Sequence, residues 1–242
     1  MTSNPLHLAK QGLRDLNRRY LDGWAAKSYS QEGEDMILRR FFADRRSGFY
    51  VDVGAHHPKR FSNTYYFYKR GWSGINIDAM PGSMRPFEQL RPRDINLEAA
   101  IAREPKDLTF YIFNEPALNS LDEALARSRE SEAFRIVAEQ KLRTRPLAEL
   151  LAEHVPPGKT IDFLSVDVEG YDLEVLQSND WRRFRPTFIL IECLGLNLHA
   201  MSDQETVRFL TDQGYEMVAK TLNTVFFRAL EPAPDTHPRK EA

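Results

Sequence analysis

The sequence predicts a doubly wound α/β domain with a mostly parallel sheet and an antiparallel edge strand. Three observations predict it. From residue 48 onward, short β-rich runs alternate with helical stretches, the pattern of crossover units that cover both faces of a parallel sheet. The last two β-rich runs, Tyr215–Lys220 and 224–228, flank a tight turn at Leu222 and Asn223, so they pair antiparallel. The length, 242 residues, suits one α/β domain with a large core, or at most two small ones.

The elements follow in order. Residues 1–27 are mildly basic, and Leu6, Leu13, Leu16, Tyr20 and Leu21 recur at helical spacing, which predicts a peripheral helix. Ser30 is a good N-cap for a second helix, with Glu32, Glu34 and Asp35 near its positive end. Ile37, Leu38, Phe41 and Phe42 form its apolar face. Phe49–Val53 is the first strand and runs into VDVGAHHP. Residues 62–70 read as a helix closed by Gly71, and 74–78 as the second strand. Residues 81–93 carry three prolines and form a loop or short helix. Residues 95–101 are the third strand. Residues 108–113 form a strand with no helix before it, which must pair antiparallel with a neighbour. The polar stretch 120–141 reads as helical but poor in apolar residues, a mobile cover. A short helix at 146–153, a fourth strand at 161–166, a helix at 171–177, a fifth strand at 187–192 and a helix at 203–213 complete the alternation. Residues 229–242 hold no core residues and read as a disordered tail, leaving 28–228 as the domain.

Composition narrows the function. Hydrophobic residues make up 42% and charged residues 28%, as in ordinary soluble globular chains. With 33 Lys plus Arg against 35 Asp plus Glu, the chain offers no overall footprint for nucleic acid or for an anionic membrane, although a local basic patch remains compatible. The lone cysteine, Cys193, excludes a disulfide framework within one chain and suits a reducing, cytoplasmic setting. The longest apolar run, near 188–198, is interrupted by Glu192 and Asn197, so no transmembrane helix is expected. The basic N-terminal helix could pack on a second copy, making a homo-oligomer.

Four constellations can carry chemistry. In an open α/β sheet, ligands bind at the carboxyl ends of the strands. Gly54 ends the first strand in a sharp turn that a ligand can approach, and Asp52 can accept a hydrogen bond from an ammonium group. Asp78 ends the second strand, 26 residues beyond Asp52, where an acid can hold both hydroxyls of a ribose. Each alone is also an ordinary strand end; together they point to a nucleoside-bearing cofactor. In SVDVEGYD, strand alternation puts Asp167 and Glu169 on one side, and Glu192 ends the next strand. Three converging carboxylates suit Mg²⁺ or Mn²⁺, unless Asp167 only caps and Glu192 is solvated. His56 and His57 offer a general base near neutral pH or, equally, two surface loop residues. Cys193 reads as a buried small residue. Tyr65, Tyr66, Phe67 and Tyr68 read as helix core rather than a base-stacking platform.

At this point SQEGEDMIL, YVDVGAHHPKRFSNTYYFYKRGWSGINID, IDFLSVDVEGYDLEVL and FILIEC together resemble the FkbM family of S-adenosylmethionine-dependent methyltransferases. The resemblance implies a Rossmann-like, class I methyltransferase sheet and methyl transfer to a hydroxyl of a sugar or glycosylated metabolite. By resemblance, Asp52, Gly54 and Ala55 face the methionine part of S-adenosylmethionine, Asp78 holds the ribose, and Ala79, Met80 and Ala100 flank the adenine. Gln31 and Glu34 lie over cofactor or acceptor, and Asp167, Glu169 and Glu192 match the acids that hold a divalent metal in some related sugar methyltransferases. Family members often carry Glu-Pro where this chain has Asp78-Ala79. Two other readings compete. A nucleotide-dependent oxidoreductase is disfavoured by the short glycine turn and SVDVEG; a non-catalytic interaction protein is disfavoured by the carboxylates.

Overall fold

The structure is a computed structural model that describes residues 5–21, 23–43, 45–194 and 198–230. The tail expected at 229–242 lies outside the described residues from 231 on; residue 229 still belongs to the last strand. The helices are α1 (Pro5–Tyr20), α2 (Glu34–Phe42), α3 (Tyr65–Tyr68), α4 (Met84–Leu90), α5 (Glu123–Arg129), α6 (Leu147–His154), α7 (Asp172–Gln177) and α8 (Glu205–Asp212). The strands are β1 (Phe49–Val53), β2 (Ser73–Asp78), β3 (Ile95–Glu98), β4 (Ala100–Ile101), β5 (Asp107–Phe113), β6 (Ile136–Arg145), β7 (Phe163–Val166), β8 (Phe188–Glu192), β9 (Tyr215–Lys220) and β10 (Thr224–Ala229). Among the described residues no helix is long and apolar enough to cross a membrane.

Seven strands form the main sheet in the order β3-β2-β1-β7-β8-β10-β9. β10 runs antiparallel to both its neighbours, and every other pairing in this sheet is parallel. The order reverses at β1, which pairs with β2 on one side and β7 on the other. A crevice at the carboxyl ends of β1, β2 and β7 is therefore the natural ligand site.

Strand alternation sorts the core into two layers. Phe49, Val51 and Val53 of β1 face one layer with Leu147, Leu150 and Leu151 of α6, Val175 and Leu176 of α7, and Val207 and Leu210 of α8. Tyr50 faces the other with Leu38 and Phe42 of α2, Tyr66 and Phe67 of α3, and the fully buried Trp72. Each such side chain contributes about 1.5–3 kcal/mol of burial. Cys193 is buried as a small apolar residue.

Four elements differ from expectation. The polar stretch 120–141 is not one helix: α5 ends at Arg129, and Ile136–Arg145 is a strand that pairs antiparallel with β5. This strand has little apolar signal because it belongs to a separate three-stranded sheet, β4-β6-β5, with most of its residues exposed. The expected third strand at 95–101 is broken at Ala99: β3 joins β2 in the main sheet, while β4 joins β6. Ser30 is not the N-cap of α2. Gly33 holds that position at φ +88°, and the Ser30 hydroxyl instead receives the Asp35 N–H and donates to the Asp35 carboxylate. The helix expected at 62–70 is reduced to Tyr65–Tyr68.

Candidate active site

A cleft of about 790 Å³, counted out to its mouth, opens at the carboxyl ends of β1, β2 and β7. Its floor begins at Gly54. The Gly54 and Ala55 N–H groups both donate to the Ile77 carbonyl, which locks the turn onto β2. Gly54 takes φ +82°, and a Cβ there would lie 1.7 Å from the Asp167 carbonyl oxygen, so glycine is required twice over. The Asp167 N–H in turn donates to the Val53 carbonyl, so the ends of β1 and β7 are held edge to edge.

Asp78 stands at the wall formed by β2, beside Ala79, and its carboxylate accepts N–H groups from His56 and Met80, each at 2.8 Å. Burial raises its pKa against those two hydrogen bonds. Gln31, Gly54, Asp78 and Ala79 of the expected cofactor residues thus line the cleft. Others do not. Asp52 shares the face of Tyr50, is buried, and accepts a hydrogen bond from the Thr64 hydroxyl at 2.9 Å. Ala55 packs under the loop against Met84 and Phe87. Ala99 and Ile101 line the cleft where Ala100 was expected, because the residue between two cleft-facing neighbours of an extended chain points the other way. Met80 lies outside the lining and meets Asp78 through its backbone N–H.

The two histidines separate. His56, at φ +52°, faces the cleft and lies 6.3 Å from the Phe61 ring, nearly parallel to it. Its Nε2 is buried and has no hydrogen-bond partner, and burial lowers its pKa, leaving a neutral imidazole. His57 turns outward, where its Nδ1 accepts the N–H groups of Lys59 and Arg60 and closes the loop.

The acids converge, though not along an extended strand. Glu169 is left-handed at φ +53° and Gly170 at +98°. The Asp172 carboxylate accepts the Val168 and Gly170 N–H groups, and the Ser120 hydroxyl donates to the Glu169 carbonyl at 2.6 Å. This tight turn brings one oxygen from each of Asp167, Glu169 and Glu192 within 4.8 Å of one another. Asp167 keeps solvent contact through the cleft, yet the surrounding protein first, and Glu192 and Glu169 next, push its pKa well above the usual carboxylate range. Burial and the neighbouring Glu169 lift Glu192 to about 8. Burial raises Glu169, opposed by the guanidinium of Arg129, which donates to it from the end of α5. The sequence gives no sign of Arg129's part, since an arginine in a charged helix is ordinary.

A second, smaller cleft adjoins the first. Glu32, Glu34, Asn63, Glu192, Asn223 and Thr224 line it, and Gln31, Phe61 and Asp167 belong to both. Glu34 lines this smaller cleft rather than the larger one. Its carboxylate accepts the Glu32 N–H and the hydroxyls of Thr221 and Thr224, joining residues 30–35 to the β9–β10 hairpin.

Solved structures with a similar layout include a TehB-like SAM-dependent methyltransferase from Corynebacterium glutamicum, 12% identical, covering 93% of this chain and 100% of that one at TM-score 0.42. The Burkholderia thailandensis 1,6-didemethyltoxoflavin-N1-methyltransferase is 15% identical and covers 96% of this chain and 92% of that one at TM-score 0.41. Among curated proteins none matches the chain. The sequence profile of the Methyltransferase FkbM domain matches residues 52–217, a span that holds the glycine turn, Asp78, the carboxylate turn and the end of β8. With most of its length under that profile, the chain belongs to the FkbM family of S-adenosylmethionine-dependent methyltransferases.

Proposed function

We propose that this methyltransferase acts on a hydroxyl of a sugar or glycosylated metabolite. One observation carries the reading: Asp167 is shared by the two clefts, so a carboxylate stands where a cofactor-sized compartment meets a small, polar one. The larger cleft fits S-adenosylmethionine. Gly54 lines that cleft at the turn after β1, Asp78 offers its free lone pairs to a ribose, and Ala79, Ala99 and Ile101 give an apolar wall for an adenine. When bound, the cofactor supplies an activated methyl on a sulfonium. The smaller cleft is lined by amide, carboxylate and hydroxyl groups, which suit a polyol.

The chain's own task is then to place the acceptor oxygen in line with the methyl and to take up its proton. Positioning of this kind contributes roughly 7–11 kcal/mol to lowering a barrier. Asp167 stands at the junction and is the group we assign to the hydroxyl proton, with His56 beside it in the larger cleft. The donor set also suits a hard divalent cation, Mg²⁺ or Mn²⁺: Asp167, Glu169 and Glu192 would hold it, and it would lower the pKa of the acceptor hydroxyl. The bond from Arg129 to Glu169 favours a second arrangement, in which Arg129 balances the cluster and the carboxylates work without metal.

The test is calorimetry with S-adenosylhomocysteine, followed by methyl-labelled S-adenosylmethionine and a panel of mono- and oligosaccharides. The reading expects one cofactor site and label recovered as sugar O-methyl ether. Label recovered only on nitrogen or carbon would overturn it.

A further inference from the structure

Beside the segment that lines the smaller cleft, lysines gather around two tyrosine rings. Phe61 and Asn63 line the smaller cleft, and the segment that carries them is flanked by the exposed cations Lys59, Arg60, Lys69 and Arg70 and by the half-buried Tyr65. The rings of Tyr29 and Tyr65 meet edge to face at 4.7 Å. Lys27 lies 5.2 Å and Lys69 5.3 Å from the Tyr29 ring centre, and Lys59 lies 5.7 Å from that of Tyr65. Lys69 also donates to the Tyr29 hydroxyl at 2.9 Å. Three ammonium groups are thus gathered around two touching rings, each held by attraction to a ring face. Among the described residues, none of the three is within ion-pair distance of a carboxylate.

Neighbouring titratable groups register the same field. The hydrogen bond from Lys69 lowers the Tyr29 hydroxyl, and Lys27 and Arg70 lower it further. His57 is lowered by burial and then by Arg60 and Lys59. The chain as a whole is slightly acidic, and the smaller cleft holds Glu32, Glu34, Asp167 and Glu192. A cationic face therefore abuts an acidic pocket, and one extended molecule can satisfy both only if its charge is uneven along its length. The ring faces are already covered by ammonium groups, which leaves them unavailable for stacking on bases.

We propose that the face formed by Lys27, Lys59 and Lys69 around Tyr29 and Tyr65 binds anionic substituents of the acceptor, an acidic saccharide whose neutral, hydroxyl-bearing end enters the smaller cleft. The inference rests on the carbohydrate reading above and deepens it: the acceptor class is a phosphorylated, sulfated or carboxylated glycan. Like charges gathered without counter-ions bind an anion at long range and in a salt-dependent way.

The probes are a fluorescent anionic tetrasaccharide (cellotetraose phosphorylated at one end), unlabelled neutral cellotetraose as competitor, and phosphatidylglycerol vesicles, used with the full chain. Fluorescence anisotropy should show saturable binding of the tetrasaccharide that cellotetraose does not displace and that weakens as salt rises. The triple variant Lys27→Glu/Lys59→Glu/Lys69→Glu should lose about tenfold or more in affinity. The control variant Lys141→Glu/Arg182→Glu/Arg208→Glu makes the same change in net charge on exposed residues elsewhere and should lose less than about threefold. Melting curves and S-adenosylhomocysteine calorimetry on every variant establish that the fold and the larger cleft are intact. Equal losses in both triples, efficient displacement by cellotetraose, or lysine-dependent binding of vesicles without binding of the tetrasaccharide would each overturn the proposal. Failure of the wild type to bind S-adenosylhomocysteine would instead overturn the reading of the larger cleft.

Discussion

Gly54 is the residue at which sequence, backbone and site coincide. A Cβ there meets the Asp167 carbonyl and strains a positive φ, so Gly54→Ala should unfold the turn or push β1 from β7. Overpacking of this order costs about 1–3 kcal/mol or more, and a fall in melting temperature together with lost S-adenosylhomocysteine binding is expected. Asp78→Asn keeps size but removes charge. It should weaken S-adenosylhomocysteine by the loss of one charge-assisted hydrogen bond, about 1.5–3 kcal/mol, and lower the melting temperature as well, because an amide can accept only one of the His56 and Met80 N–H groups; unchanged affinity in calorimetry would remove Asp78 from the ribose. Asp52 makes a prediction of opposite sign. Burial raises its pKa from 3.8 to about 6, opposed first by Arg91. A carboxylate with a raised native pKa weakens the fold once ionised, and the penalty fades as pH falls from about 6 through 3.8. Asp52→Asn should therefore stabilise the protein by about 2–3 kcal/mol at pH 8 and much less at pH 4, read as the shift in melting temperature. A residue can thus carry a family motif and still face away from the cleft. The alternation of β1 gives Asp52 the side of Tyr50, a consequence of strand period that the motif alone conceals.

At the level of elements, the strands of the main sheet were legible because each is a compact β-rich run ending in a turn. β1 and β9 have the expected bounds, β2, β7, β8 and β10 differ by a few residues at most, and so does β5 of the smaller sheet. β6 was not legible. Its ten residues carry Ile136, Val137 and Leu142 among charges, and it is held by pairing with β5 rather than by a buried face. The convergence of Asp167 and Glu169 was legible, but by a different route: a left-handed turn braced by Asp172 and Ser120, rather than continued strand, does the work. Helix α5 is tied to that turn twice, by Arg129 on Glu169 and by Leu125, which fills the space where a Cβ on Gly170 would sit. Ligand binding should therefore slow amide hydrogen exchange across Glu123–Arg129. Arg129→Ala should uncouple the two, leaving exchange in α5 insensitive to ligand and lowering turnover by about tenfold or more. Equal ligand protection in wild type and variant would show that α5 is not coupled to the carboxylates.

For the whole molecule, the division into two clefts separates two measurements. If the carboxylates hold a cation, exhaustive treatment with EDTA should abolish turnover, Mg²⁺ or Mn²⁺ should restore it, and S-adenosylhomocysteine affinity should change far less than turnover, since Asp78 and Ala79 of the larger cleft are not part of the carboxylate cluster. Full turnover after chelation assigns the cluster to the arrangement balanced by Arg129. In either case Asp167→Asn should depress turnover far more than cofactor affinity if that carboxylate, which lines both clefts, takes up the acceptor's proton as proposed.

The bond from the Thr221 hydroxyl to Glu34 and that from the Asn223 N–H to Glu32 join residues 187 and 191 positions apart. Contacts of such separation form late, because the intervening chain must first be ordered. During synthesis, the glycine turn at β1 and Asp78 leave the ribosome long before the hairpin that lines the smaller cleft. A nascent chain can therefore hold Gly54 and Asp78 while the hairpin wall of the smaller cleft has yet to be translated. If methyl transfer needs that wall, the order of translation keeps it from starting on an unfinished enzyme.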